Sequence, residues 1–263
     1  MAAEYRTLKV DKENGVDWVT LNRPERLNTF TATLVRELNA YLAAAAGDPD
    51  CRIVVIRGAG RAFCAGLDIK EVVSDSPDAL KGSDADTLEP SLNDIVRNMR
   101  RMPQPVIAML NGDAAGGGFG LALAADIRIA SETARMNAAF IKVGLSGCEM
   151  GTSYFLPRIV GMGTTIELLY TGRFIDAHRA LAVGLVSAVA KPEELEACVR
   201  GWVADMLAAT PLGLRRTKEL LAKAINIDDL DAVLDLEARQ QGRLVHLSHR
   251  ERLEAFLDRR TNA

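Results

Sequence analysis

The chain is poor in the groups that most catalytic and ligand-binding chemistry draws on. Among 263 residues there are only three histidines (His178, His246 and His249), so sites that need several imidazoles are excluded. The four cysteines, Cys51, Cys64, Cys148 and Cys198, form no CxxC pair, so neither a zinc ribbon nor a disulfide scaffold is indicated. His246 and His249 have an i, i+3 spacing that could hold a metal, but no third ligand accompanies them, and no metal is expected. A basic excess is missing too. Lys and Arg number 32 against 35 Asp and Glu, a net charge of −3 that gives no drive toward nucleic acid or anionic membranes. The longest uncharged run, Ala114 to Ala125, falls short of the roughly 18 residues of a spanning helix and is rich in glycine. The first ten residues carry Glu4, Arg6 and Lys9 and no apolar stretch, so a secretory signal is not expected and a cytoplasmic location is. Carboxylates and the backbone remain as working parts.

What is present has the composition of a globular chain, with 48% hydrophobic and 25% charged residues. Thr7 to Val10 and Val16 to Leu21 flank Glu13-Asn14-Gly15, the signal of a hairpin with an Asn-Gly turn. Thr31 to Ala46 reads as a helix, with Leu34, Leu38 and Leu42 on one face and Gly47 as its stop. Arg52 to Arg57, Pro105 to Leu110 and Ile127 to Ala130 read as short buried strands, the first two running into glycines. This alternation predicts an α/β architecture. Ser74 to Pro90 is polar and acidic and reads as a mobile surface loop or lid. Beyond Pro192 the pattern is helical throughout, over Glu193–Ala208, Leu212–Ala224, Leu230–Leu244 and Glu251–Arg259. The expected division is a core of residues 1–195 and a helical region of residues 196–263.

Two glycine-rich segments each follow a strand and open a helix: Arg61 to Ile69, and Asn111 to Leu121. Small residues at such junctions let amide N–H groups approach a ligand oxygen, with the helix N-terminus adding positive potential. Two donors converging on one oxygen make an oxyanion hole, at about 3 kcal/mol per donor. For a single Gly-Gly-Gly, tight packing of helix on strand is the commoner explanation. Neither segment is a P-loop, and the spacing is wrong for a dinucleotide fingerprint.

In register along the chain stand Asn22-Arg23-Pro24-Glu25-Arg26-Leu27-Asn28, Ala65-Gly66-Leu67-Asp68, Asn111-Gly112 through the triple glycine, Ala125-Asp126-Ile127-Arg128-Ile129-Ala130, Leu156-Pro157-Arg158, Thr171-Gly172-Arg173 and Gly184-Leu185-Val186. In this the chain resembles the crotonase (enoyl-CoA hydratase/isomerase) superfamily over essentially its whole length. The resemblance implies a spiral of ββα units with a C-terminal α-helical trimerisation region, and a homotrimer or a hexamer built as a dimer of trimers. It implies an acyl-CoA thioester as substrate, with CoA part of that substrate and no separate cofactor. It places the two oxyanion amides at Leu67 and Gly117, beside Gly116. Ala65, Asp68 and Ile69 would line the adenine and pantetheine path, and Arg26 and Leu27 would lie near the CoA.

The departures from the pattern bear on chemistry. Hydratases of this family use two glutamates, whose positions are Gly120 and Phe140 here. Neither residue can move a proton, so two-glutamate hydration is closed to this chain. One acid, Glu149, lies eight residues before Pro157, where its place resembles that of the catalytic aspartate of dienoyl-CoA and ring-opening isomerases, given a one-residue shift relative to Gly144. Flanked by Cys148 and Met150, it is expected in an apolar pocket as a proton shuttle, or as the cap of a helix starting near Gly151. Three functions follow: an isomerase with Glu149 as shuttle, a hydratase using Glu149 alone, or an acyl-CoA binder without catalysis in which Gly120 leaves room for a long chain. Asp68 reads also as a turn or cap residue, Asp113 and His178 as surface residues, and Cys64 and Cys148 as packing residues. Lys218 and Lys223 are candidates to meet CoA phosphates across a subunit boundary.

Overall fold

The computed structural model describes residues 5–74, 76–80, 91–242 and 244. Most of the Ser74–Pro90 segment, His246, His249 and the helix expected over Glu251–Arg259 lie outside them. The chain forms two compact units, residues 1–205 and 206–263.

The first unit opens with strands β1 (Leu8–Glu13) and β2 (Val16–Leu21), paired antiparallel around Asn14 (φ 50°) and Gly15 (φ 82°). Two successive left-handed residues are what a twisted two-residue hairpin requires, as the Asn-Gly pair predicts. Helix α1 (Ala32–Gly47) starts at Thr31, whose side chain accepts from the Leu34 N–H. It buries Leu34, Leu38 and Leu42, and Gly47 is its last residue rather than the stop beyond it.

From here the chain repeats one move. Strand β3 (Ile53–Gly58) is followed by β4 (Ala62–Cys64), and then by α2 (Ile69–Val73) and α3 (Leu92–Arg101). Strands β5 (Val106–Leu110) and β6 (Asp113–Ala115) lead into α4 (Gly117–Ala124). Strands β7 (Ile127–Ser131) and β8 (Arg135–Asn137) lead, through a 3-10 turn at Ala139–Val143, into α5 (Thr152–Thr171). Strand β9 (Ile175–Asp176), helix α6 (Ala177–Ala182) and β10 (Ala188–Ala190) close the series. In the pairs β3–β4, β5–β6 and β7–β8 the first strand joins a six-stranded sheet ordered β1-β2-β3-β5-β7-β10, and the second joins a four-stranded sheet ordered β4-β6-β8-β9. Pairing is parallel from β2 through β10 in the first sheet and from β4 through β8 in the second. This is the expected spiral of ββα units. Because both faces of a parallel sheet are covered, Ile53-Val54-Val55-Ile56 and Val106 to Leu110 are buried without alternation.

Helix α4 is buried at every residue. Its glycines bring it flush onto the small sheet: a Cβ on Gly118 would run into the Cys64 carbonyl. Helix α5 is broken at Gly161 (φ 73°, ψ 167°). Helix α7 (Leu195–Ala208) follows β10. The second unit holds α8 (Pro211–Ala224) and a further helical stretch over 230–242.

The start of the expected lid is pinned. Asp78 accepts from the Thr33 N–H (2.9 Å) and the Thr33 hydroxyl (2.7 Å), its carbonyl accepts from the Ala32 N–H (3.0 Å), and Ala79 is buried. The carbonyl and carboxylate of Asp78 thus serve the otherwise unsatisfied first two amides of α1, Ala32 and Thr33.

Candidate active site

The two glycine-rich segments meet. Gly66 (φ 87°) packs so closely on the second that a Cβ there would stand 2.6 Å from the Ala115 carbonyl and 3.1 Å from the Gly117 nitrogen. Phe30 and Leu67 form a bridge in which the Phe30 N–H donates to Gly66 O (2.7 Å) and the Asp68 N–H donates to Phe30 O (3.1 Å). Both bonds of this bridge are made by the neighbours of Leu67, so the Leu67 amide faces away from Phe30. Gly116 (φ 52°, ψ −119°) turns the chain into α4, its own N–H donating to Asn137 O at 2.9 Å. Gly117 is the first residue of α4, where an amide has no acceptor within the helix. An oxyanion hole requires two N–H donors converging on one oxygen, and a helix N-terminus supplies one free amide of that kind.

Buried polar side chains hold the first loop. Asn28, left-handed (φ 55°) and fully buried, donates from one amide to the carbonyls of Ala59 (2.9 Å), Ala62 (2.9 Å) and Phe63 (3.2 Å). Asn111 donates to Gly60 O (3.0 Å) and accepts from the Gly58 N–H (2.9 Å). Asp68 caps α2 by accepting from the Glu71 N–H at 3.3 Å, the turn and cap role read from sequence. It also accepts from the Thr29 hydroxyl (2.8 Å), Arg26 Nη2 (3.0 Å) and Nε (3.3 Å), and Arg23 Nη1 (3.3 Å). Burial would raise its pKa, but the bonds from Thr29, the Glu71 amide and Arg26 outweigh it and hold the carboxyl below its ordinary range. Arg26 and Leu27 are half-buried, as is Ala65, while Ile69 is exposed. Cys64 packs in the core, and burial pushes its thiol up to about 12.

The positions of the two family glutamates are apolar in space as well as in sequence. Phe140 is buried, with its ring edge 3.7 Å from where a Cβ on Gly116 would stand. Gly120 leaves no room for a long chain, contrary to the sequence expectation: a Cβ there would lie 2.5 Å from the Met150 Cβ. Met150 is 1% exposed, and its Sδ would lie 3.2 Å from a Cβ on Gly117. It therefore covers the Gly117–Gly120 face of α4.

The apolar pocket expected around Glu149 forms around Met150 instead. Glu149 itself is exposed in the chain, as is Cys148. Nor does Glu149 cap α5. Gly151 (φ 80°) is the N-cap and has no side-chain bond, and the Glu149 carboxylate accepts from the adjacent Met150 N–H (3.3 Å). Thr152 fastens this turn, accepting from the Glu149 N–H (3.1 Å) and donating to Gly147 O (3.0 Å).

Asp113 pairs with Arg135 (2.7 Å) and His178 is exposed. In α8, Lys223 pairs with Glu219 (2.6 Å) and Lys218 is buried. Asn28 and Asn111 stand in the sequence motifs and Met150 beside Glu149, but the sequence did not show what their side chains do; Asn28 and Met150 act from positive φ.

The fold is that of the crotonase superfamily, and the chain belongs to the enoyl-CoA hydratase/isomerase family, whose sequence profile matches residues 11–263. Among its relatives is the "Probable enoyl-CoA hydratase EchA12" of Mycobacterium tuberculosis, 39% identical over 85% of this chain and 79% of that protein. Another is the 1,2-epoxyphenylacetyl-CoA isomerase of Escherichia coli, 35% identical over 95% of this chain and 94% of the relative. The crystal structure of an enoyl-CoA hydratase from Bacillus anthracis superposes with a TM-score of 0.87 at 31% identity, covering 97% of both chains.

Proposed function

We propose that the protein isomerises a double bond in an unsaturated acyl-CoA thioester. The Leu67 and Gly117 amides hold the thioester oxygen as it gains charge, and Glu149 removes a proton from the α or γ carbon and returns it elsewhere. The observation that carries this reading is the apolar filling of both glutamate positions, with Met150 occupying the space above Gly120 and Phe140 standing beside Gly116. Adding water calls for groups that orient and deprotonate it, whereas moving a double bond needs one base and a stabilised enolate. Glu149 is the acid adjoining Met150, and the isomerase among the relatives supports the choice.

A hydratase working through Glu149 alone is the second reading, favoured by the hydratase names among the relatives. In either case CoA belongs to the substrate. Assembly as a trimer or hexamer is part of the proposal. It is supported by Met162, Ile166 and Tyr170, which leave an exposed apolar stripe at i, i+4 and i+8 along α5.

A panel of 3-enoyl- and 3,5-dienoyl-CoAs, assayed for double-bond migration beside crotonyl-CoA hydration, tests the proposal. Migration with hydration at buffer background is the expected result. Hydration without migration would select the second reading, and tight acyl-CoA binding with no turnover of any member would mean a binding protein.

A further inference from the structure

Met150 stands between the two halves of the proposed machinery. Its side chain is seated on Gly117 and Gly120, which share one face of α4 because they are three residues apart. Its backbone N–H donates to the Glu149 carboxylate (3.3 Å). The residue is left-handed (φ 49°) and is followed by Gly151, also left-handed (φ 80°). A residue with a Cβ keeps such a conformation only where its surroundings enforce it. Here the enforcing contact is the glycine face of α4, and any Cβ on Gly120 would remove it. One buried methionine thus ties the acid's turn to the helix whose first amide is the Gly117 oxyanion donor.

We infer that Met150 is a positioning residue that holds the Glu149 carboxylate in register with the Gly117 amide, the Gly117–Gly120 face of α4 being its socket. The inference rests on the reading of Glu149 as the proton shuttle. A core methionine with a purely structural role would lower the amount of folded protein. A positioning methionine lowers turnover in protein that is folded and binds substrate.

The test uses the full-length protein and whichever 3-enoyl- or 3,5-dienoyl-CoA of the panel it turns over fastest. Met150→Ala is expected to lower kcat by about tenfold to a hundredfold, the scale of a small misplacement of a reacting group. KM should stay within about threefold, because substrate binding is not what the side chain supplies. Met150→Leu, which conserves volume, should recover most of the loss. Gly120→Ala should reproduce it by displacing Met150 from the opposite side. In a Glu149→Gln background, Met150→Ala should slow turnover no further.

Wild-type kcat in folded Met150→Ala would overturn the inference, as would a loss that multiplies with that of Glu149→Gln. If Met150→Ala does not fold, Gly120→Ala decides: wild-type kcat in that variant overturns the inference, and a reduced kcat with unchanged KM supports it. Failure of the parent reading looks different. Glu149→Gln would then turn over as fast as wild type, or no panel member would react, and the inference would fall with it.

Discussion

Gly120 and Met150 compete for one volume, with a Cβ on Gly120 standing 2.5 Å from the Met150 Cβ. Gly120→Ala is therefore expected to destabilise the fold, by about 1–3 kcal/mol as for other overpacked cores. Urea denaturation of Gly120→Ala, Met150→Gly and the double variant checks this. The alanine at 120 should cost less once residue 150 has no Cβ, and equal costs in both backgrounds would mean that the two do not share space.

Glycines of this chain divide into those that admit a side chain and those that do not. A Cβ on Gly118 meets the Cys64 carbonyl, which is backbone and cannot swing aside, whereas one on Gly201, within α7, meets nothing within 4 Å. Gly118→Ala should yield little folded protein. Gly201→Ala should raise stability by about 0.5–1 kcal/mol, the ordinary gain for removing a glycine from a helix interior. Thermal unfolding of the two variants should thus move in opposite directions from the wild type.

The Asp68 cluster carries a pH signature. Its folded-state pKa lies below the ordinary carboxylate value. Its stabilisation is therefore fully present above about pH 4, the unfolded value, and is lost as pH falls through the folded pKa. Asp68→Asn removes the carboxylate that Arg23 and Arg26 share, leaving Arg26 with Glu71 at 3.4 Å. The expected loss is about 3 kcal/mol at neutral pH, the low end for a broken buried pair because the guanidiniums are partly exposed. Denaturation across pH 3 to 7 should show that gap narrowing toward the acid end. A gap that stays constant would mean that Asp68 acts through shape alone.

Gly66 sets the distance between the two amide loops, so Gly66→Ala should act on turnover. Its Cβ would press on Ala115 O (2.6 Å) and the Gly117 nitrogen (3.1 Å) at a φ of 87°. Losing the alignment of one oxyanion donor costs about a hundredfold to a thousandfold in kcat. Steady-state kinetics on refoldable protein measures it, and an unchanged kcat would remove Leu67 and Gly117 from the chemistry.

The long elements were legible because their signals are local. Thr31 followed by Leu34, Leu38 and Leu42 marks α1, Asn14-Gly15 marks the hairpin, and the β-branched run Ile53-Val54-Val55-Ile56 marks β3. The small sheet was not legible. Strands β4, β6 and β8 are three residues each and β9 is two, too short to carry a period, and they exist because neighbouring turns of the spiral pair with them. In the site, the positions of Leu67, Gly117, Gly120 and Phe140 came from motif order. That Met150 fills the space over Gly120 could not be read, because it depends on two left-handed residues, Met150 and Gly151, folding α5's approach back onto α4. The exposure of Glu149 was missed for the same reason: the apolar neighbour that suggested a pocket is buried in its place.

The central claim is that Glu149 is the proton shuttle of an isomerase, and Glu149→Gln tests it most directly. Turnover of the preferred 3-enoyl- or 3,5-dienoyl-CoA and calorimetric binding of a saturated acyl-CoA should be measured on the same preparation. The account predicts a fall in kcat of about a hundredfold to ten-thousandfold, with binding retained. Undiminished isomerisation by Glu149→Gln would contradict it.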